Sequence, residues 1–364
     1  MHIPDGYLSP QTCAVGFAVT APFWFAAGRR VQRTVRSRNV PTLAVLSAVC
    51  FLIMMFNIPI PDGTTAHAIG GGLVAVLLGP WAAVIAISVA LGFQALLFGD
   101  GGVLSYGVNC LNMAVILPFV ALGTYRLLAS GSELTSTRRA VAAAIGGYVG
   151  INVAALACGI ELGIQPTLFH SASGAPLYSP YHLSQSIPAM LLAHLSVAGF
   201  AEAIVTGGVI AYLQRANLPL LRVNHPGIPA LGEETVTRRV RPIVAAGIAV
   251  LVMVVLTPIG LLAPGGAFGE DSPATLNLHK YHLSAVPSGL NHWNGLWNHV
   301  LFNRYDFGSD QHRSLGYVVS AVVGIVVVGT AVFLIGMAIQ YPARRQERSR
   351  VAAAQQARTK ASPQ

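Results

Sequence analysis

The first two residues, Met1 and His2, hold three nitrogen donors in consecutive positions: the α-amine of Met1, the amide nitrogen of His2 and the His2 imidazole. On a metal ion, the amine and the deprotonated amide close a five-membered ring, and the nearer imidazole nitrogen closes a six-membered one. The three nitrogens then lie in a plane that one more donor completes. Square-planar nitrogen sites belong to Ni(II) or Cu(II). Low-spin Co(II) accepts the same field, whereas zinc prefers a tetrahedron. Loss of the amide proton also halves the formal charge of the bound ion, which favours a site partly out of water, because burying net charge is costly.

This claw needs a free amine. The opening MHIPDGYLSP has neither the basic n-region nor the apolar core of a secretory signal. His2 is large, which disfavours removal of the start methionine, so Met1 is expected to remain and to present its amine.

The elements that must position these residues are membrane helices. Of the 364 residues, 54% are hydrophobic and only 10% charged, against about 25% charged in soluble domains. The net charge of +9 does not indicate nucleic-acid binding: 20 of the 22 basic residues are Arg, in short segments between apolar runs, a topology signal rather than a phosphate-binding face. A bilayer core of about 30 Å takes about 20 apolar helical residues. The expected spans are 11–28, 40–59, 67–80, 81–98, 109–127, 140–163, 185–213, 243–263 and 316–340.

The pair 67–80 and 81–98, divided at Gly79-Pro80, could be one kinked span or two short ones. Arginine placement decides. With two spans and the N-terminus outside, the inner segments 29–39, 128–139 (with Arg126), 214–242 and 341–364 hold 19 basic residues. Only Lys280, Arg304 and Arg313 fall outside, in one long loop, and long loops obey the positive-inside rule weakly. The expected fold class is therefore an all-α polytopic membrane protein of about nine spans, N-terminus out and C-terminus cytoplasmic. Residues 1–213 form a seven-span unit, 214–242 a cytoplasmic linker, 243–340 a helix pair around a long outer loop, and 341–364 a cytoplasmic tail.

This topology carries His67, after the outer turn PIPDGTTA, to the face of Met1 and His2, where it can be the fourth donor. On residues alone, a Met-His start can be chance and His67 a helix cap or surface residue; those alternatives stay open. The four cysteines (Cys13, Cys50, Cys110, Cys158) sit in apolar runs far apart and read as buried small hydrophobes. Gly70-Gly71-Gly72 is no phosphate loop, because no Gly-Lys follows, and reads as a close-packing stretch; ATP hydrolysis would need another chain. No H-E-x-x-H supports a membrane-embedded metalloenzyme, and neither inverted repeats nor paired mid-membrane charges support an ion-gradient carrier.

The segments MHIPDGYLSP, DGTTAHAIGGGLVAVLLGPWAA, FQALLFGDGG and GVNCLNMAVILPFV resemble, over roughly residues 1–213, the CbiM/NikM family of substrate-binding membrane components of cobalt and nickel energy-coupling-factor transporters. The resemblance implies a metal site of Met1, His2 and His67. It implies Co(II) or Ni(II) as transported substrate with no permanent cofactor, two ATP-binding subunits and a transmembrane coupling (T) subunit as partners, and a plasma-membrane location serving cobalamin biosynthesis or nickel enzymes. LTPIGLLAPGGAFGED, at 256–271, is similar to the accessory CbiN/NikN subunit in its fused form, although the more typical Pro-Asp-Gly-Leu-Glu is replaced by Pro258-Ile259-Gly260-Leu261.

Further polar residues stand apart from these motifs. His279, His282, His292, His299 and His312 share the outer loop 264–315 with Trp293 and Trp297; H-x-x-H at 279–282 could sample metal, or the loop could be a Trp-anchored interfacial segment. Glu161, His194 and Glu202 fall in or near spans, where ionisable groups suggest function; eight residues apart, His194 and Glu202 need not touch. His170 and His182 receive no role.

Overall fold

A computed structural model of the chain describes residues 1–35, 37–60, 64–230, 242–262, 266–307 and 312–361. Parts of the expected outer turn (61–63), linker (231–241), outer loop (263–265 and 308–311) and tail (362–364) lie outside the described residues.

Helix starts follow local chemistry. Ser9 accepts the amide hydrogen of Thr12 and Pro10 opens α1, Pro10–Thr34. Proline suits that position because its missing N–H would have no helical partner there. Helix α2 runs Val40–Met54, and a two-stranded antiparallel hairpin, β1 Ile58–Ile60 and β2 Thr64–Ala66, follows with Pro59 opposite Thr65. Helix α3 is Gly71–Leu78, and α4 is Pro80–Phe93, continued by a wider π turn over Gln94–Phe98. Helices α5 (Tyr106–Cys110) and α6 (Leu117–Leu128) flank a second π stretch, Leu111–Ile116. Then come α7 (Thr137–Gly163), the single turn α8 (Gln165–Leu168), α9 (Leu183–Ala193), a third π turn (His194–Ala198) and α10 (Gly199–Ala216). The chain ends with α11 (Leu218–Leu221), α12 (Pro242–Leu256), α13 (Ser288–Trp293) and α14 (Arg313–Ala361).

Among the described residues, six helical stretches are long and apolar enough to cross a membrane: Ser37–Met54, Pro80–Phe98, Tyr106–Leu128, Thr137–Leu168, Leu183–Ala216 and Arg313–Tyr341. The segment expected as helix over 67–80 is shorter. Its eight helical residues span about 12 Å at 1.5 Å per residue, and His67–Gly70 are not helical. A side chain explains the delay. The Glu202 carboxylate accepts the amide hydrogens of Ile69 (2.8 Å), Gly70 (2.7 Å) and Gly72 (3.1 Å), groups that open α3. At the other end, Gly79 turns with φ +91°, a conformation that glycine adopts without a Cβ penalty.

Close helix contact rests on small residues. A Cβ on Gly72 would lie 3.1 Å from the Cα of Gly147, one on Gly146 2.5 Å from the Ala121 carbonyl, and one on Gly207 2.7 Å from the Ala144 Cβ. Without a hydrophobic drive between helices in lipid, such approach supplies the packing. Helix α14 lies against α2, where Gly324 faces the Phe51 ring and Gly336 the Val40 side chain. All four cysteines are buried and unpaired.

Candidate metal site

Residues 1–9 have no regular backbone structure, yet Met1, His2, Ile3, Tyr7 and Leu8 are buried. Buried backbone groups must find partners, and these do. Ile3 donates to Asn109 Oδ1 (2.9 Å), and its carbonyl accepts from Asn109 Nδ2 (3.1 Å), the Gly102 amide (3.0 Å) and the Ser105 hydroxyl. Asp5 accepts the amide hydrogens of Val103, Leu104 and Ser105. Burial pushes its carboxyl up, against those three bonds. Ser9 donates to Gln165 Oε1 (3.0 Å), and the Tyr7 carbonyl accepts from Ser179 (2.9 Å). The segment is a fastened plug rather than a free tail.

The plug brings two imidazoles together. His67 Nε2 lies 3.2 Å from His2 Nδ1, with ring centroids 5.0 Å apart. His67 Nδ1 lies 2.9 Å from the carbonyl of Ala68, which can only accept, so the proton of neutral His67 sits on Nδ1 and Nε2 carries a lone pair. His2 Nε2 faces Gln94 Oε1 at 3.3 Å. With that nitrogen donating, His2 Nδ1 also offers a lone pair. Two lone pairs at this separation repel unless a proton or a metal ion lies between them. Burial lowers the pKa of His2, opposed by Asp100, which disfavours the proton.

Polar groups surround the pair. Gln94 Nε2 donates to the Tyr305 hydroxyl at 2.9 Å, and that hydroxyl donates to Asp100 Oδ2 at 2.5 Å. Asp100 Oδ1 lies 3.5 Å from His2 Nδ1. The Met1 amine lies 3.8 Å from Glu270, whose carboxyl is pushed up to about 7 by burial, against the amine. Glu270 and Tyr305 both come from the outer loop before α14. That loop is strapped on by Leu301 and Phe302, which donate to the Leu97 carbonyl, and by Trp297 Nε1, which donates to the Leu96 carbonyl. Arg304 and Tyr305 both take left-handed backbone angles, φ +51° and +63°, at a cost of roughly 1–2 kcal/mol each.

Other residues singled out in the sequence sort themselves. Glu202, fully buried, holds the start of α3 and thereby the turn after His67. His194 Nδ1 bonds the Met190 carbonyl (2.7 Å), and Glu161 accepts from Asn112 (2.5 Å). Neither is bonded to His2 or His67. Among the described residues, no three His, Cys, Asp or Glu side chains converge on one point, those of the outer loop included. His292 packs on Trp293 and His299 on Trp297. Sequence reasoning missed Gln94, Asp100, Asn109, Glu270 and Tyr305. A signal existed for four: Gln94, Asp100, Asn109 and Glu270 all lie inside segments already quoted for their resemblance. Nothing in the outer loop marked Tyr305.

Comparison with known proteins places the chain in a family. Residues 2–220 match the family profile described as CbiM, the cobalt uptake substrate-specific transmembrane region. The chain is 47% identical over 340 residues to the fused nickel transport protein NikMN of Rhodobacter capsulatus, covering 90% of this chain and 95% of that one. It is 46% identical to the probable fused nickel transport protein LarMN of Lactiplantibacillus plantarum, with the same coverages. A crystal structure of a truncated transition metal transporter superposes with a TM-score of 0.55 at 58% identity, over 58% of this chain and 98% of that one.

Proposed function

The chain belongs to the CbiM family, in the fused form that adds a C-terminal accessory part, and on that premise we propose that it captures Ni(II) or Co(II) at the outer face for ATP-driven import. It is a multi-pass membrane protein and a metal-ion transport protein. The ligands are the Met1 amine, the His2 amide nitrogen, His2 Nδ1 and His67 Nε2.

One observation carries this reading: His2 Nδ1 and His67 Nε2 face each other at 3.2 Å, the remaining nitrogen of each ring being bonded to an oxygen. Adjacent corners of a square plane with metal–nitrogen bonds of about 2.0 Å are about 2.8 Å apart. His67 would then sit opposite the amide and beside the imidazole of His2. A metal ion between the two rings relieves the repulsion between the two lone pairs.

The nine-span topology fits the same contacts. His67 meets His2 on the outer side. At the other end of α3, Asn224 Nδ2 donates to the carbonyls of Ala75 (3.1 Å) and Val76 (3.0 Å), and His225 Nε2 to that of Val76 (3.1 Å). These residues belong to the proposed cytoplasmic linker 214–242, so the start of α3 lies toward the outer side and its end toward the inner one. The N-terminus is then outside and the C-terminus inside. Residues 1–213 form the capture unit, 243–340 the accessory helix pair and 341–364 the tail. Two ATP-binding subunits and a transmembrane coupling subunit, on separate chains, drive release.

The test is metal analysis of purified full-length protein after exposure to Ni(II) or Co(II): wild type, His2→Ala, and a variant with one alanine inserted between Met1 and His2. The expected result is about one ion per chain for wild type and loss in both variants. Full occupancy in the insertion variant eliminates the claw. Equal uptake into vesicles lacking ATP-binding subunits points instead to an independent carrier.

A further inference from the structure

Three groups behind His2 form a chain of hydrogen bonds whose direction only one arrangement satisfies. The Asp100 carboxylate accepts and cannot donate. The Tyr305 hydroxyl beside it must therefore donate to Oδ2, which leaves its oxygen free only to accept. The group 2.9 Å from that oxygen must be the Gln94 amide nitrogen, which fixes which way the Gln94 amide points. Gln94 then presents Oε1, an acceptor, to His2 Nε2. In neutral His2, Nε2 therefore carries the proton, and Nδ1, which faces His67 Nε2 and lies 3.5 Å from Asp100 Oδ1, has the lone pair.

We infer that Tyr305 is a positioning residue for the metal: acting through Gln94, it holds His2 in the tautomer whose Nδ1 can ligate. This rests on the proposed claw, in which Nδ1 is the ligating nitrogen. It assigns Tyr305, which lies 211 positions from Gln94, a role in ordering a site built from the first residues of the chain. Gln94 Nε2 also donates to Asp100 Oδ2 directly, at 3.4 Å, a longer link than the 2.9 Å one to Tyr305. The hydroxyl of Tyr305 is the shorter link. The tyrosine ring stacks on Phe98 at 5.1 Å and lies against Phe51 and Tyr317, so the hydroxyl is held at a fixed place. Without it, the amide of Gln94 can turn over, place Nε2 against His2 Nε2, and shift the proton of His2 to Nδ1. Groups that orient a metal-binding histidine are typically worth 10–100-fold in affinity.

Tyr305→Phe keeps the ring and removes only the hydroxyl. In full-length protein in detergent, Ni(II) affinity is expected to fall about tenfold, and the ring nitrogens of ¹⁵N-histidine-labelled, metal-free protein should show His2 losing its single Nε2–H form, with His2→Ala identifying the signals. A mere packing role would not move that tautomer signature. Gln94→Leu cuts the chain at the next link, so adding Tyr305→Phe to it should change affinity less than twofold. Full retention of the Tyr305→Phe effect in the Gln94→Leu background, or an unchanged His2 tautomer in Tyr305→Phe, overturns the inference. Undiminished Ni(II) binding by His2→Ala instead overturns the claw itself, so the two failures are told apart.

Discussion

Glu202 and Gly70 meet at 2.7 Å, the carboxylate of one accepting the amide hydrogen of the other. Glu202 lies on α10 and Gly70 three residues after His67, so the turn that carries His67 is anchored to a different helix. An anion at a helix start is favourable, because the first amide groups have no helical partner and carry the positive end of the dipole.

Glu202→Gln should therefore weaken both fold and binding. The amide keeps one acceptor but turns an N–H₂ toward the donors of Ile69, Gly70 or Gly72. Hydrogen bonds to charged groups are worth about 1.5–3 kcal/mol each, so a lower unfolding midpoint and a measurable loss of Ni(II) affinity are expected. Calorimetry with and without metal checks both. An unchanged midpoint would mean that the three bonds contribute nothing.

Gly102→Ala should disrupt the site while sparing the helices. An added Cβ would overlap the Asp5 carboxylate and the Ser105 hydroxyl, the pair that fastens the plug to the 102–105 loop. Metal affinity should drop at least ~10-fold, as for other losses of ligand orientation, with unaltered helical circular dichroism. Wild-type affinity in this variant would show that the plug tolerates a shift.

Stability should fall in mild acid through His225. Burial, reinforced by Arg139, lowers its pKa to about 4, and its Nε2–H donates to the Val76 carbonyl. The unfolded chain, with a histidine pKa of about 6.5, binds more protons than the folded one between pH 6.5 and 4. Unfolding free energy from this group therefore rises with pH across that window and is fully present above it. His225→Gln, which retains a donor but does not titrate, should flatten the pH dependence of the melting midpoint there by at least ~2 °C. Identical pH profiles for the two proteins would remove His225 as the cause.

Gln340→Leu should loosen the hold of α14 on α1. Gln340 Nε2 reaches the carbonyls of Val31 (3.3 Å), Gln32 (3.2 Å) and Val35 (2.6 Å), at the end of α1 where helical partners run out. Leaving them unpaired costs about 1–3 kcal/mol. A lowered melting midpoint with unchanged metal affinity is expected. A loss of affinity instead would tie this distant cap to the site.

The membrane character and most helices were legible in the sequence, because apolar runs and arginine placement are strong, local signals. Met1, His2 and His67 offered a possible donor set, which the family resemblance raised above a chance Met-His start. The start of α3 was misplaced by four residues, since Gly70 takes a left-handed backbone (φ +78°) and the amides there are capped by Glu202, 130 or more positions away. Tyr305 was not legible at all, and Glu270 only as part of a quoted segment, with no role. Their importance comes from where the outer loop lands, which no local pattern records.

Helix α3 is gripped at its start by Glu202 and at its end by Asn224 and His225, all on one continuous stretch of chain. A short stiff rod held at both ends by the same lever cannot slide within that grip. A pull on residues 202–225 is therefore felt at both ends of α3, and at the turn bearing His67.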